Sequence, residues 1–295
     1  MKRVLVTGAS GFIGRHALGA LAARGYEVHA VARRPSAESA AQWHAVDLLD
    51  AHAAATLLAR LRPTHLLHFA WYAEHGKFWT APENFAWVDA SQHLLQAFVA
   101  NGGRRFVGVG SCAEYDWNAG HCSEAATALV PATLYGTCKD LFRRYLEAYA
   151  QHRGIEAGWG RVFHLFGAGE HPARLAASVI AALRRGEPAA CTAGEQLRDF
   201  MHVADVAAAF AALLDSPATG AVNMASGDPV TIRTFVTQIA ELMDRRELLR
   251  LGALPTRAGD PPVLTADTVR LNTEVGWRPG AALQERLRET IAARD

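Results

Sequence analysis

Along the first 165 or so residues, short apolar runs alternate with stretches of helical period. The runs Val4–Val6, Glu27–Ala32, Leu66–Phe69, Arg105–Val109 and Gly158–Val162 are compact and nearly all apolar. That pattern predicts strands covered on both faces. Between them, Gly14–Arg24, Ala51–Leu61, Asn84–Asn101 and Tyr135–His152 read as helices. Strands alternating with helices make βαβ units, so the expected class is α/β, a Rossmann-type doubly wound parallel sheet. From Phe166 the rhythm loosens and turns such as Gly227-Asp228-Pro229 multiply, with a further helix at Val203–Leu214. The expected organisation is a larger domain over 1–165, with a return segment at about 200–225, and a smaller C-terminal lobe from 166–199 and 226–295.

Composition narrows the partners. The 295 residues hold 30 Lys+Arg against 29 Asp+Glu, a formal charge of +1. Without a clustered basic excess, neither nucleic acid nor an anionic membrane is an expected partner. The longest clean apolar run, Ala207–Leu214, is far short of the roughly 20 residues of a membrane span. The start, Met1–Gly8, has too short an apolar stretch for a signal peptide. Cys112, Cys122, Cys138 and Cys191 show no C-x-x-C spacing, which predicts reduced thiols, no metal centre and a cytoplasmic location.

Candidate chemistry starts at Thr7-Gly8-Ala9-Ser10-Gly11-Phe12-Ile13-Gly14, between the first strand and the first helix. Glycines at that spacing permit a tight turn and bring backbone close to a pyrophosphate at a helix N-terminus. The context predicts a dinucleotide site. The second strand ends in Ala32, where an NAD site usually has an acid, and Arg33 and Arg34 follow. Two arginines suit a 2′-phosphate, so NADP(H) is expected over NAD(H). Asp47 faces the adenine edge or caps a helix.

Tyr135 and Lys139 stand at i, i+4, on one face at the start of a helix. A nearby ammonium favours the phenolate, bringing tyrosine proton transfer towards neutral pH. Ser111 follows the strand Arg105–Val109 at its carboxyl end, where open parallel sheets place ligand chemistry.

With these residues the chain resembles the extended short-chain dehydrogenase/reductase family, the NAD(P)-dependent sugar-nucleotide epimerases, dehydratases and reductases. Besides the glycine loop, Ser111, Tyr135 and Lys139, the resemblance is carried by Asp47, His68-Phe69-Ala70, the run Arg198–Ala207, Arg257-Ala258-Gly259-Asp260 and the tail Leu271–Pro279. It implies Ser111, Tyr135 and Lys139 as the catalytic set, Tyr135 acting as general acid/base. The implied cofactor surface adds Gly8, Ser10, Gly11, Phe12, Ile13, Gly14, Arg33, Arg34, Asp47, Leu48, Phe69 and Ala70. The implied substrate surface is Trp71, Ser111, His164, Arg174, Arg198 and Arg257, with Arg198 and Arg257 clamping a sugar nucleotide's diphosphate. The bland reading of Arg198 is a pair with Asp199. A homodimer is implied too, through a four-helix bundle of the helices Asn84–Asn101 and Tyr135–His152.

The 4,6-dehydratases carry an Asp-Glu pair directly after their serine or threonine; here Cys112 and Ala113 follow Ser111, and Glu114, displaced by one residue, should point elsewhere. Dehydration is thereby disfavoured. A related epimerase–reductase uses a cysteine where this chain has Ala113 and a histidine slightly before His171. The 4-epimerases usually have an acid closing the second strand and an asparagine near His164; Ala32 and His164 depart from both. His164 either bonds substrate or is a satisfied core histidine. The expectation is an NADPH-dependent ketoreductase acting on a nucleoside-diphosphate-linked 4-keto-6-deoxyhexose. A sugar-nucleotide 4-epimerase with retained NAD is the alternative, and a non-catalytic NADP(H)-binding regulator the third reading.

Overall fold

The computed structural model describes residues 2–36 and 41–293. The chain runs β1 (Arg3–Thr7), α1 (Gly14–Ala22), β2 (Glu27–Ala32), β3 (Gln42–Ala45), α2 (Ala51–Leu61), β4 (His65–His68), α3 (Glu83–Ala100) and β5 (Arg105–Ser111). It continues through β6 (His121–Cys122), α4 (Leu134–Arg153), β7 (Glu156–Val162), β8 (His164–Phe166), α5 (Leu175–Arg184), β9 (Ala189–Ala190), β10 (Leu197–Arg198) and β11 (Phe200–His202). The last third holds α6 (Val203–Asp215), β12 (Gly220–Met224), β13 (Val230–Thr231), α7 (Ile232–Leu242), β14 (Leu249–Arg250), β15 (Val263–Ala266), α8 (Val269–Thr273) and α9 (Leu283–Ala292).

Seven strands form one parallel sheet in the order β12-β7-β5-β4-β1-β2-β3. Successive strand residues face opposite sides. In β1, Val4 and Val6 join the core under α1 and α6, whereas Leu5 joins the core under α2, α3 and α4. Both faces are buried, which is why these strands read as continuous apolar runs. The doubly wound expectation holds. The strand order reverses between β1 and β4, so the crevice for ligands opens beyond Thr7 and His68.

Two strands of this sheet lie outside the predicted set. Edge strand β3 is half exposed and carries Gln42 and His44, so it shows no apolar run. Strand β12 falls in the return segment and pairs with β7. Strand β5 also extends to Ser111, which is therefore its last residue, not one beyond it. A separate apolar cluster joins Phe166, Ile180, Phe200, Phe235, Ile239 and Leu287, from α5, α7, α9 and the short strands β8 and β11.

Candidate functional site

The glycine loop is packed at backbone distance. Gly8 has φ +62°, and a Cβ there would lie 2.7 Å from the Ala70 nitrogen; one on Gly14 would lie 2.2 Å from the Gly8 oxygen. Gly11 N–H closes the turn onto the Gly8 carbonyl at 2.9 Å. Beneath it a relay ties β1 to β4: His68 Nδ1 pairs with Thr7 Oγ1 at 2.7 Å and Nε2 with Ser91 Oγ at 2.9 Å. Burial, with the Lys139 charge, pushes His68 down to about 3, so the imidazole is neutral at physiological pH.

Helix α1 starts without help. Its N-cap, Ile13, offers no side-chain bond and its first turn holds no acid. It shares the missing side-chain bond with α3, α5, α8 and α9, whereas Asp50, Thr133, His202 and Thr231 cap α2, α4, α6 and α7. In the first turn of α1, Arg15 N–H bonds the Gly11 carbonyl and His16 N–H the Ile13 carbonyl; the positive end of the helix, with the glycine loop's backbone before it, suits a diphosphate. The residues here fit a dinucleotide cofactor. Ser10 and Gly11 are exposed at the loop tip, with Phe12 and Ile13 half-buried behind them.

The adenosine end is more open. Arg33 and Arg34 are exposed beyond β2. Asp47 is exposed and accepts the Leu49 N–H at 3.1 Å, and it is Asp50 that caps α2. Leu48 is buried; Phe69 packs edge-on against Phe210 at 5.1 Å.

Ser111, Tyr135 and Lys139 converge at the carboxyl end of β5. Tyr135 stands in the first turn of α4, whose cap Thr133 accepts the Gly136 N–H. Burial and then the Glu114 charge raise the phenol above its ordinary value, and a hydrogen bond with Ser111 opposes them. Lys139 Nζ lies 5.7 Å from the Tyr135 ring centre and 3.9 Å from that of Trp71, and donates to the Val109 carbonyl at 2.7 Å. Burial lowers the ammonium to about 7. Burial thus opposes the charged form of both groups, raising the phenol and lowering the ammonium.

On the substrate side the arginines separate. Arg198 is buried and donates to Asp260 Oδ1 and to the Pro261 carbonyl, each at 2.7 Å. Its carboxylate partner is Asp260, while Asp199 accepts Ser226 and Gly227 N–H groups. Arg257 is exposed, its carbonyl accepting the Asp260 N–H, so Arg198 anchors the loop that carries Arg257 instead of standing free beside it. Arg174, half-buried at the start of α5, has no side-chain partner among the described residues, and its charge is felt by Tyr135, His164, Glu170 and His75. His164 is neutral, burial pushing it down to about 3, and its buried Nδ1 has no partner. Trp71 is committed internally: its indole N–H donates to Asn84 Oδ1 at 2.8 Å. His171 is exposed and stacks on His75 with centres 4.4 Å apart, joining two loops across the cleft.

Two features escaped the sequence reading. One is the Thr7–His68–Ser91 relay, which joins residues too far apart in sequence to leave a local signal. The other is the partner set of Glu114: the carboxylate points away from the cleft, as expected, and there accepts from Arg161 and Trp159. Its signal was the spacing Ser111-x-x-Glu114, that of a capping box.

Comparison with known proteins gives one consistent group. The NAD dependent epimerase/dehydratase family matches residues 4–225. A UDP-glucose 4-epimerase from Rhizobium meliloti is 27% identical, over 94% of this chain and 92% of that protein. The UDP-glucose 4-epimerase of Thermus thermophilus, solved with NAD, is 27% identical with a TM-score of 0.85, covering 98% of this chain and 97% of that one. A protein called MoeE5, solved with UDP-glucuronic acid and NAD, is 30% identical with a TM-score of 0.83 over the same shares, 98% and 97%.

Proposed function

The chain belongs to the NAD dependent epimerase/dehydratase family, and within it we propose a sugar-nucleotide epimerase of the 4-epimerase type that works with NAD. The observation that carries this reading is the meeting of Ser111, Tyr135 and Lys139 at the end of β5, beside the uncapped start of α1. Relatives that are UDP-glucose 4-epimerases support it over the ketoreductase. The preference for NADP(H) is likewise not supported, since the family is NAD dependent.

NAD, when bound, supplies the acceptor and later the donor of the carbon-bound hydrogen. Tyr135 Oη takes the proton of the sugar hydroxyl as that carbon is oxidised and returns it on reduction. Ser111 Oγ bonds the same oxygen and steadies its developing charge. Lys139, whose ammonium burial brings down to about 7, supplies when protonated a cation on the helix of Tyr135 that lowers the cost of the phenolate. Arg257 and Arg174 are available for the anionic part of the substrate, and His164 Nδ1 for a sugar hydroxyl. The reading assigns 1–165 and the return segment to the cofactor, and the remainder to the sugar nucleotide. Exposed Phe85 (57%) on α3 and Leu141 (51%) on α4 support a homodimer through those helices.

The departure of Ala32, Arg33 and Arg34 from an acidic strand end is what favours the reductase reading. Mixing the protein with NADPH and a 4-keto sugar nucleotide separates the two. No net loss of NADPH absorbance is the expected result; stoichiometric oxidation would establish the reductase instead. Binding without turnover across a broad panel would favour the regulator.

A further inference from the structure

The short turn after β5, Cys112–Glu114, begins on Ser111 and is closed by a capping box. Ser111 Oγ accepts the Ala113 N–H at 3.2 Å, and Glu114 Oε1 accepts the Ser111 N–H at 2.8 Å. This carboxylate is fully buried. Arg161 Nε donates to its Oε2 at 2.7 Å, and Trp159 Nε1 lies 3.0 Å from both oxygens. Arg161 continues to Tyr115 Oη at 2.9 Å, and Tyr115 donates to Asn223 Oδ1 at 2.8 Å. The backbone is shaped around the group: a Cβ on Gly110 would stand 2.3 Å from Glu114 Oε1 and 2.1 Å from Trp159 Nε1. Burying an ion pair is costly against an apolar pair of similar size. A three-residue turn needs no such pair to close, so the expense points to what the turn carries, which is Ser111.

We propose that Glu114 is a positioning residue: it holds Ser111 by its backbone and sets its carboxylate on the turn that packs against the start of α4, the helix of Tyr135 and Lys139, where a Cβ on Gly136 would stand 2.2 Å from the Ala113 oxygen. The proposal rests on the roles assigned above to those three residues. Its charge acts on both titrating groups in one sense, raising Tyr135 in company with burial and raising Lys139 against burial. The other polar and charged groups around Tyr135 are Ser111, Cys112, Arg174 and, on its own helix, Lys139. Those facing Glu114 are Arg161, Trp159, Tyr115 and Cys112. Removing the charge therefore moves both titrations to lower pH.

Glu114→Gln keeps an acceptor for the Ser111 N–H and removes the charge. The chain has three lysines, Lys2, Lys77 and Lys139, so NMR of isotope-labelled lysine resolves Lys139 without any substrate. The Lys139 midpoint is expected near 7 in the parent protein. In the variant it should fall by about one unit, a tenfold change in proton affinity, and the pH profile of turnover should move acidward with it. An unchanged midpoint in a folded variant overturns the proposal, whatever happens to turnover. Should Arg161 left alone prevent folding, Glu114→Gln with Arg161→Gln removes both charges; a smaller acid shift is expected, and none would also overturn it. A Tyr135→Phe enzyme with full turnover would overturn the catalytic reading while leaving the Lys139 titration result standing.

Discussion

The cofactor half and the substrate half of the cleft are finished to different degrees. Around the glycine loop, the polar relay beneath it is internally satisfied: Thr7, His68 and Ser91 bond one another, and Gly8 and Gly14 leave no room for a side chain. Across the cleft, His164 Nδ1 and Glu170 Oε2 are buried without partners, and the Arg174 side chain is unpaired among the described residues. A half whose ligand is one fixed dinucleotide can be closed by backbone packing. A half that selects a sugar keeps donors and acceptors open until the sugar arrives, since orphaned buried groups persist only where something else satisfies them.

Four substitutions press on this contrast, in descending size. Tyr135→Phe removes the proton carrier between the halves; kcat should fall by roughly 10²–10⁴-fold, with NAD and UDP binding intact by calorimetry. Gly14→Ala strikes the closed half, where a Cβ would meet the Gly8 oxygen at 2.2 Å. It should cost about 1–3 kcal/mol of stability in denaturant unfolding and abolish NAD binding. Arg174→Gln strikes the open half. KM for the sugar nucleotide should rise by roughly tenfold, the worth of one charge-assisted hydrogen bond, with kcat nearly kept and the fold no less stable. Were Arg174→Gln to destabilise the chain as much as Gly14→Ala does, the contrast would fail.

The fourth effect is a pH dependence at the seam, read as the difference between two pH values. Lys139 gives up its proton near 7 when folded, against 10.5 for the free side chain. Between those values the unfolded chain holds more protons, so this group makes stability rise with pH over that window. Lys139→Met should therefore raise Tm more at pH 7 than at pH 10, as thermal scans would show.

What could be read from sequence follows the same division. Buried parallel strands carry their signal in continuous apolar runs, so β1, β2, β4, β5 and β7 were legible, while the polar edge strand β3 was not. The glycine spacing, Ser111 and the Tyr135–Lys139 pair are local patterns, and the fold brings them together as expected. Arg198 reads from the chain as a diphosphate clamp or a partner of Asp199; its actual pair with Asp260 is not legible, because that carboxylate lies 62 residues away. Trp71 likewise turns its N–H to Asn84, a contact fixed by the packing of α3 and invisible in the chain. Preference between NAD and NADP rested on Arg33 and Arg34, whose exposed side chains no packing constrains.

In the proposed 4-epimerase, hydride leaves and returns to the same sugar carbon with no net consumption of cofactor. Proton NMR of the anomeric signals follows this directly when the purified protein is incubated with UDP-glucose, UDP-N-acetylglucosamine or UDP-glucuronic acid and a catalytic amount of NAD. One of these should relax to an equilibrium mixture with its 4-epimer, with many turnovers per NAD and no lasting rise in NADH absorbance. Product formation that stops at one equivalent of cofactor, matched by its stoichiometric oxidation or reduction, would contradict it.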